Sequence, residues 1–381
     1  MSEGFEFQVS SRDGKTSARL GSLRTPHGRI DTPAFMPVGT QGTVKGLLPE
    51  QVRDAGFGLI LGNTYHLALR PGADTIARHG GLHGFMGWDG GILTDSGGFQ
   101  VYSLAKLRKI TNEGVAFRSH IDGSLHEFTP ESVIVIQEAL GSDIAMVLDV
   151  CPPSRASRDE LERAVEVTTD WAERSIAVRS RADQAVFGIV QGGLDRTLRA
   201  EHAVKIGSLP FEGMAIGGLS VGEPPHEMYP VAQSTAALLP EDKPRYLMGV
   251  GMPVDLVRCV MAGIDLFDCV FPTRAARNGL LLTSAGRLVI KHARFREDLK
   301  PPDPHCQCPT CSRYSRAYLR HLFAGGEILS SVLCTIHNLH FYAGLMARIR
   351  DAASRATLET LAREVEAAYP PKGDEGPSGD G

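Results

Sequence analysis

Short apolar runs without alternation recur along the chain, each followed by a polar residue or glycine and then mostly by helix-like sequence. They occupy residues 34–38, 57–62 (then Asn63), 91–94 (then Asp95), 144–148 (then Asp149), 185–190 (then Gln191), 213–217 (then Gly218), 245–249 and 266–270. Strands that do not alternate are buried on both faces, which requires helices outside a parallel sheet. Helix signals lie between most of the runs. Thr129-Pro130-Glu131-Ser132 gives an N-cap with proline at the first helical position, and Ser157-Arg158-Asp159-Glu160 reads as a capping box. The second opens a helix with Leu161, Ala164, Val165, Thr168, Trp171 and Ala172 on one stripe. Helical patterning continues over 194–206, 226–239 and 253–262. Eight such units predict an α/β fold, a (β/α)8 barrel, with an open doubly wound sheet as the alternative. No G-x-G-x-x-G follows the first strand, so a nucleotide cofactor has little support.

Around this rhythm the pattern divides further. Residues 1–32 read as a β-ribbon with turns at Asp13-Gly14 and Thr25-Pro26-His27-Gly28. The barrel core is expected over 33–278, interrupted at 108–128 by a β-hairpin around Asp122-Gly123. A second hairpin follows over 279–300, then a subdomain over 301–345 that holds Cys306, Cys308 and Cys311, and closing helices over 346–369. Residues 370–381 are rich in glycine, proline and acids and are expected to be disordered.

Composition changes this picture in two places. Apolar content of 42% and charged content of 22% are those of an ordinary globular chain, and the net charge of -4 argues against a nucleic-acid binder. Yet Arg274, Arg277, Arg287, Lys291, Arg294 and Arg296 lie between Phe271 and Arg296 with no acid among them. A one-sign block in a mildly acidic protein marks a local polyanion site or a solvated basic face. The seven cysteines are an odd number, three of them crowded as Cys306, Cys308 and Cys311. That suits reduced thiols around one tetrahedral zinc, with Cys334, His337, His340, His321 and His305 all within reach as the fourth ligand. Such a closed site is structural. No uninterrupted apolar run approaches the ~18 residues of a membrane span, and no basic-then-apolar leader opens the chain, so a cytoplasmic protein without a membrane partner is expected.

In a parallel barrel, chemistry sits at the carboxyl ends of the strands. Asp95, Asp149, Gln191, Gly218 and Asp268 are the candidates there. Any one of them is as readily a helix cap, but several acids on one rim shift one another's pKa values and divide into acid and base roles. Asp268, inside the last apolar run, is costly to bury unless paired or used. It reads as a nucleophile, with the basic turn of Arg274 and Arg277 beside it to hold an anion.

Several stretches carry a resemblance over nearly the whole chain: Asp95-Ser96-Gly97-Gly98-Phe99-Gln100-Val101, Phe187-Gly188-Ile189-Val190-Gln191-Gly192-Gly193, Ile216-Gly217-Gly218-Leu219-Ser220-Val221-Gly222-Glu223, Tyr246-Leu247-Met248-Gly249-Val250-Gly251, Phe267-Asp268-Cys269-Val270-Phe271-Pro272-Thr273-Arg274, and the cysteine cluster with Thr335-Ile336-His337-Asn338. In these the chain resembles bacterial tRNA-guanine transglycosylase, also called queuine tRNA-ribosyltransferase. The resemblance implies an irregular TIM barrel with a zinc subdomain. It implies exchange of guanine at the wobble position of tRNAs with GUN anticodons (Asp, Asn, His, Tyr) for 7-aminomethyl-7-deazaguanine (preQ1), in queuosine biosynthesis. It makes Asp268 the nucleophile and Asp95 the general acid/base, and stacks the base between Phe99 and Met248. Asp149, Gln191, Gly218 and Leu219 would read its edge, Cys151 and Val221 would size the pocket, and Glu223 would hold the Gly218–Ser220 backbone. Thr273, Arg274 and Arg277 would grip the anticodon loop, and His337 becomes the fourth zinc ligand. A free 7-deazaguanine base and a second copy of the chain, as a homodimer, are the other implied partners. One departure is Met252, where the family commonly has Lys, which implies weaker salt dependence. A metal-dependent barrel hydrolase and a non-catalytic tRNA-binding subunit are the rival readings; the first lacks a His-x-His after an early strand, and the second is disfavoured by Asp95 and Asp268.

Overall fold

A computed structural model describes residues 4–104 and 108–370. Eight parallel strands close a barrel in chain order. They are β1 (Ala34–Gly39), β2 (Leu59–Asn63), β3 (Gly91–Asp95), β4 (Ile144–Met146), β5 (Ala185–Val190), β6 (Gly213–Ile216), β7 (Arg245–Leu247) and β8 (Leu266–Cys269). β8 pairs back onto β1, with Leu266 opposite Ala34 and Asp268 opposite Met36. Every residue of β1 to β7 is buried. One face fills the barrel and the other meets helices, which is why these strands read as unbroken apolar runs. β8 differs in its second half, where Asp268 and Cys269 are only half-buried at the rim.

The helical signals act as expected. Thr129 and Ser157 cap Pro130–Leu140 and Arg158–Val178 through reciprocal side-chain bonds with Ser132 and Glu160. The second helix buries Leu161, Ala164, Thr168, Trp171 and Ala172, with Val167 rather than Val165 completing the face. The early connections are less regular. A single short helix, Pro49–Asp54, joins β1 to β2, and three of six residues each join β2 to β3.

The N-terminal ribbon is a three-stranded antiparallel sheet, Glu6–Arg12, Arg19–Thr25 and Gly28–Thr32. It is fastened at the amino ends of the barrel strands. Arg19 and Asp265 form a fully buried ion pair, and Asp265 also accepts the Arg245 amide at 2.7 Å. On the ribbon's other side His27 Nδ1 lies 2.7 Å from Asp143 Oδ1, and His83 Nε2 lies 3.3 Å from Oδ2. Both carboxylates sit just before a barrel strand, so each ties ribbon to barrel.

Residues 108–128 differ from the expected hairpin. They form three strands, Arg108–Ile110, Val115–Arg118 and Leu125–Phe128. The first is short and wholly exposed, so it carries no apolar alternation by which to find it. A two-stranded hairpin, Leu280–Thr283 with Gly286–Val289, follows the barrel. Helices Pro309–Arg313, Arg316–Ala324, Ile328–Ser354 and Leu358–Ala368 complete the described chain. By length and composition Ile328–Ser354 is apolar enough to cross a membrane, although 56% of its apolar window is buried inside the protein. Counting uninterrupted runs missed it because Ser330, Ser331, Thr335, His337 and Asn338 break the run. The helix is apolar because it packs on several sides at once, against the barrel, the hairpin and Leu358–Ala368. Residues 371–381, most of the stretch expected to be disordered, lie outside the described residues.

Candidate active site

The carboxyl ends of the strands bring Asp95, Asp149, Gln191, Gly218 and Asp268 onto one rim. Asp95 ends β3 and is buried; Asn63 Nδ2, from the end of β2, donates to its Oδ2 at 2.6 Å, and the Thr64 amide donates to Oδ1 at 3.0 Å. The β2–β3 register places Asn63 directly opposite Asp95. Burial pushes the Asp95 carboxyl up to about 7, and the nearby Asp268 and Asp149 charges add to the effect against these donors. Such a group holds or releases a proton near neutrality.

Asp268 stands differently. Tyr246, wholly buried in β7, donates its hydroxyl to Asp268 Oδ1 at 2.6 Å, and the Gly249 amide donates to the same oxygen at 2.8 Å. Burial raises the carboxyl, and these two donors pull it back toward the ionised form. Both donors converge on Oδ1, so Oδ2 is the oxygen left for a ligand.

Asp149, just beyond β4, accepts Gln191 Nε2 at 2.6 Å and Ser96 Oγ at 3.3 Å; burial pushes it up to about 6. Gln191 is fully buried, and its Oε1 has no hydrogen-bond partner among the described residues. An unpaired acceptor inside a polar pocket is costly unless a ligand satisfies it. The backbone comes very close here. A side chain at Gly218, whose φ is +64°, would strike Gln191 Oε1, and one at Gly98 would come within 2.8 Å of the Asp149 carbonyl oxygen. Only glycine leaves the pocket open at these positions.

The remaining expected residues are distributed as follows. Phe99, on the helix Gly98–Leu104 after β3, is 47% exposed, and Met248, just after β7, is half-buried. Cys151 and Leu219 are buried and Val221 is half-buried. Burial beside Asp149 raises the Cys151 thiol to about 12, so it is neutral. The Glu223 carboxylate accepts the backbone amides of Ser220 and of Val221, the latter at 3.1 Å. Thr273, Arg274 and Arg277 lie on the short helix Phe271–Arg277 directly after β8. Thr273 is buried and donates its hydroxyl to Val270 O. Arg274 is exposed; Arg277 is half-buried and bonds Thr273 O at 2.9 Å. Neither arginine forms an ion pair among the described residues. Met252 caps Pro253–Met261 and is half-buried.

The sequence alone did not single out Tyr246, Asn63, Ser96 or Arg199 as site residues. In the structure Tyr246 pairs with Leu266 across β7 and β8, so Asp268, two residues on, lies on the same face of the sheet.

Cys306, Cys308, Cys311 and His337 converge away from this rim, with their ligand atoms all within 4.8 Å of one another, and can hold a metal ion. His337 Nδ1 lies 3.2 Å from Cys311 Sγ and 3.6 Å from Cys308 Sγ. His337 Nε2 lies 2.8 Å from Leu282 O; a proton there leaves Nδ1 free to coordinate. Three thiolates and one imidazole fit a closed tetrahedral ion. Of the five possible fourth ligands, His337 completes the cluster. Next to it on the helix, Asn338 donates to Pro272 O and Leu280 O and accepts the Leu282 amide at 3.0 Å. The metal cluster is thereby coupled to the helix that carries Arg274 and Arg277.

A closed parallel barrel with coupled carboxylates and glycine-framed polar groups on its carboxyl rim, and a separate Cys3His cluster, defines a TIM-barrel enzyme. A family model described as queuine tRNA-ribosyltransferase matches residues 13–371. Proteins of that name from Caldanaerobacter subterraneus subsp. tengcongensis, Thermoanaerobacter pseudethanolicus and Moorella thermoacetica are 55%, 56% and 54% identical to this chain. The matches cover 96%, 96% and 95% of the chain and 97% of each relative. The chain belongs to the queuine tRNA-ribosyltransferase family.

Proposed function

We propose that this chain exchanges guanine at the wobble position of tRNAs with GUN anticodons for 7-aminomethyl-7-deazaguanine, a step toward queuosine, by double displacement. The observation that carries the reading is the pairing of two unlike acids on one rim. Asp95 is poised near neutrality, and Asp268 is held at one oxygen by Tyr246 and Gly249. Retained geometry at the ribose needs two inversions, as in retaining glycosidases. In the first, Asp268 Oδ2 attacks the anomeric carbon, the bond to the guanine nitrogen breaks, and Asp95 gives that nitrogen its proton. An ester joins Asp268 to the ribose. In the second, Asp95 takes the proton from the incoming base, whose nitrogen attacks the same carbon and frees the Asp268 carboxylate. Asp95 ends protonated, as it began.

The target base must leave its stack to be reached. Phe99 and Met248 supply its stacking faces. Asp149, the unpaired Gln191 Oε1, and the backbone of Gly218 and Leu219 supply edge contacts. Cys151 and Val221 limit the pocket. Arg274, with Arg277 and Thr273 behind it, meets the anticodon loop. Zinc is the ion suited to the Cys3His cluster, where it would stabilise the fold around the arginine helix. Exposed Ile328 and Leu329 open the long helix, and Leu48 caps the helix Pro49–Asp54 that packs on it; these apolar positions support a homodimer surface. A tRNA substrate suits a cytoplasmic enzyme.

The test is incubation with unmodified tRNA bearing a GUN anticodon and radiolabelled guanine. Label should enter that tRNA, not tRNA with another anticodon, and unlabelled 7-aminomethyl-7-deazaguanine should suppress it. Absence of label from all tRNAs would refute the exchange reaction.

A further inference from the structure

Arg199 is almost wholly buried in the helix Arg196–Gly207 after β5, and among the described residues no carboxylate pairs with it. A buried guanidinium with no carboxylate in contact is expensive to maintain, the Glu223 charge acting on it only from beyond ion-pair distance. Its donors go to carbonyl oxygens. Nε and Nη2 reach Gly193 O at 3.0 and 2.7 Å, Nη2 also reaches Gly217 O at 3.0 Å, and Nη1 lies 3.4 Å from Val190 O. These carbonyls belong to the loops that end β5 and β6 and build the floor of the candidate base pocket. The local sequence is shaped around the side chain: a Cβ at Gly192 would lie 3.0 Å from the Arg199 amide nitrogen, and one at Gly218 would lie 3.5 Å from Nη2.

Gly217 O and the Gly218 N–H belong to one peptide group. A cation bonded to the oxygen withdraws electron density and strengthens the N–H as a donor. The Gly218 N–H faces the Cys151 thiol, a weak acceptor that a carbonyl oxygen would readily replace. We propose that Arg199 is a positioning residue for base exchange: it fixes and polarises the Gly217–Gly218 peptide so that its N–H binds the carbonyl edge of the purine and stabilises negative charge developing on the departing base. This rests on the function proposed above. Burial lowers the guanidinium only to about 10, so it stays charged at neutral pH.

The variants are Arg199→Lys and Arg199→Met in the full chain, read by incorporation of labelled guanine into tRNA from pH 6 to 9. Wild-type incorporation is the control, and its failure would sink the proposed function itself. With an active wild type and folded variants, Arg199→Met should lose at least tenfold in kcat/KM for guanine. Arg199→Lys should retain more activity at pH 6 and acquire a new alkaline fall, because a buried ammonium deprotonates where a guanidinium does not. A merely structural role would not produce that added limb. An Arg199→Met that matches the wild type, an Arg199→Lys that matches the wild type or loses activity equally at every pH, or failure of both variants to fold would overturn the inference and leave the exchange reaction standing.

Discussion

Replacing Tyr246 with phenylalanine removes one hydroxyl and little else. The ring is fully buried in β7, and phenylalanine keeps its packing. What is lost is one of the two donors on Asp268 Oδ1, the one at 2.6 Å, leaving only the Gly249 amide. A hydrogen bond to an ionised group contributes about 1.5–3 kcal/mol. That energy favours the ionised carboxylate, and removing it cuts the ionised population on the acid side by ~10- to ~100-fold. The sign follows directly. Burial already raises Asp268, the Tyr246 donor opposes the rise, and without it the carboxyl ionises at higher pH. The attacking form is therefore scarcer on the acid side of the profile and restored toward the alkaline side. Initial rates of guanine incorporation across the pH profile should show kcat/KM of Tyr246→Phe reduced by up to ~10- to ~100-fold on the acid side and much less on the alkaline side. A loss of the same size at every pH, or no loss, would refute the claim that Tyr246 acts through ionisation of Asp268.

Other consequences concern the second acid, the metal and the arginines. The protonated form of Asp95 is lost as pH rises through about 7, so the wild-type profile should fall on the alkaline side near that value; Asp95→Asn should fold, judged by circular dichroism, and show no turnover. The two limbs belong to the coupled carboxylates together. Removing the metal with a chelator, or substituting Cys311→Ala, should lower Tm and weaken tRNA binding, and zinc should restore the chelated protein; a chelated protein that keeps its Tm and loses only activity would contradict a structural ion. Arg274→Ala should weaken tRNA binding and reduce the slope of log K against log salt by ~0.7 for a single-strand phosphate contact, measured by filter binding.

How much of this was legible depended on whether neighbours in the chain or neighbours in space carried the signal. The barrel strands were visible because burial on both faces gives β1 to β7, and the first half of β8, mostly apolar runs. Thr129 and Ser157 were visible because a cap bonds three residues ahead. The rim acids could be placed because each stands at the carboxyl end of its own apolar run. The exposed strand Arg108–Ile110 had no apolar pattern to reveal it. The roles of Tyr246 and Arg199 depend on atoms 22 and 18 residues away along the chain, and nothing in their own segments announces them. His337 stood level with four rivals by spacing and was picked out by resemblance; the fold then brings it to the cysteines, with its second nitrogen near Leu282 O.

Double displacement requires that Asp268 form a covalent bond to the ribose. The direct measurement is denaturing electrophoresis of the protein incubated with substrate tRNA, followed by mass spectrometry of any retained RNA-linked peptide. The wild type should carry an adduct on Asp268 that guanine discharges, and Asp268→Asn should carry none. An adduct that persists in Asp268→Asn, or exchange proceeding in that variant, would contradict double displacement through Asp268.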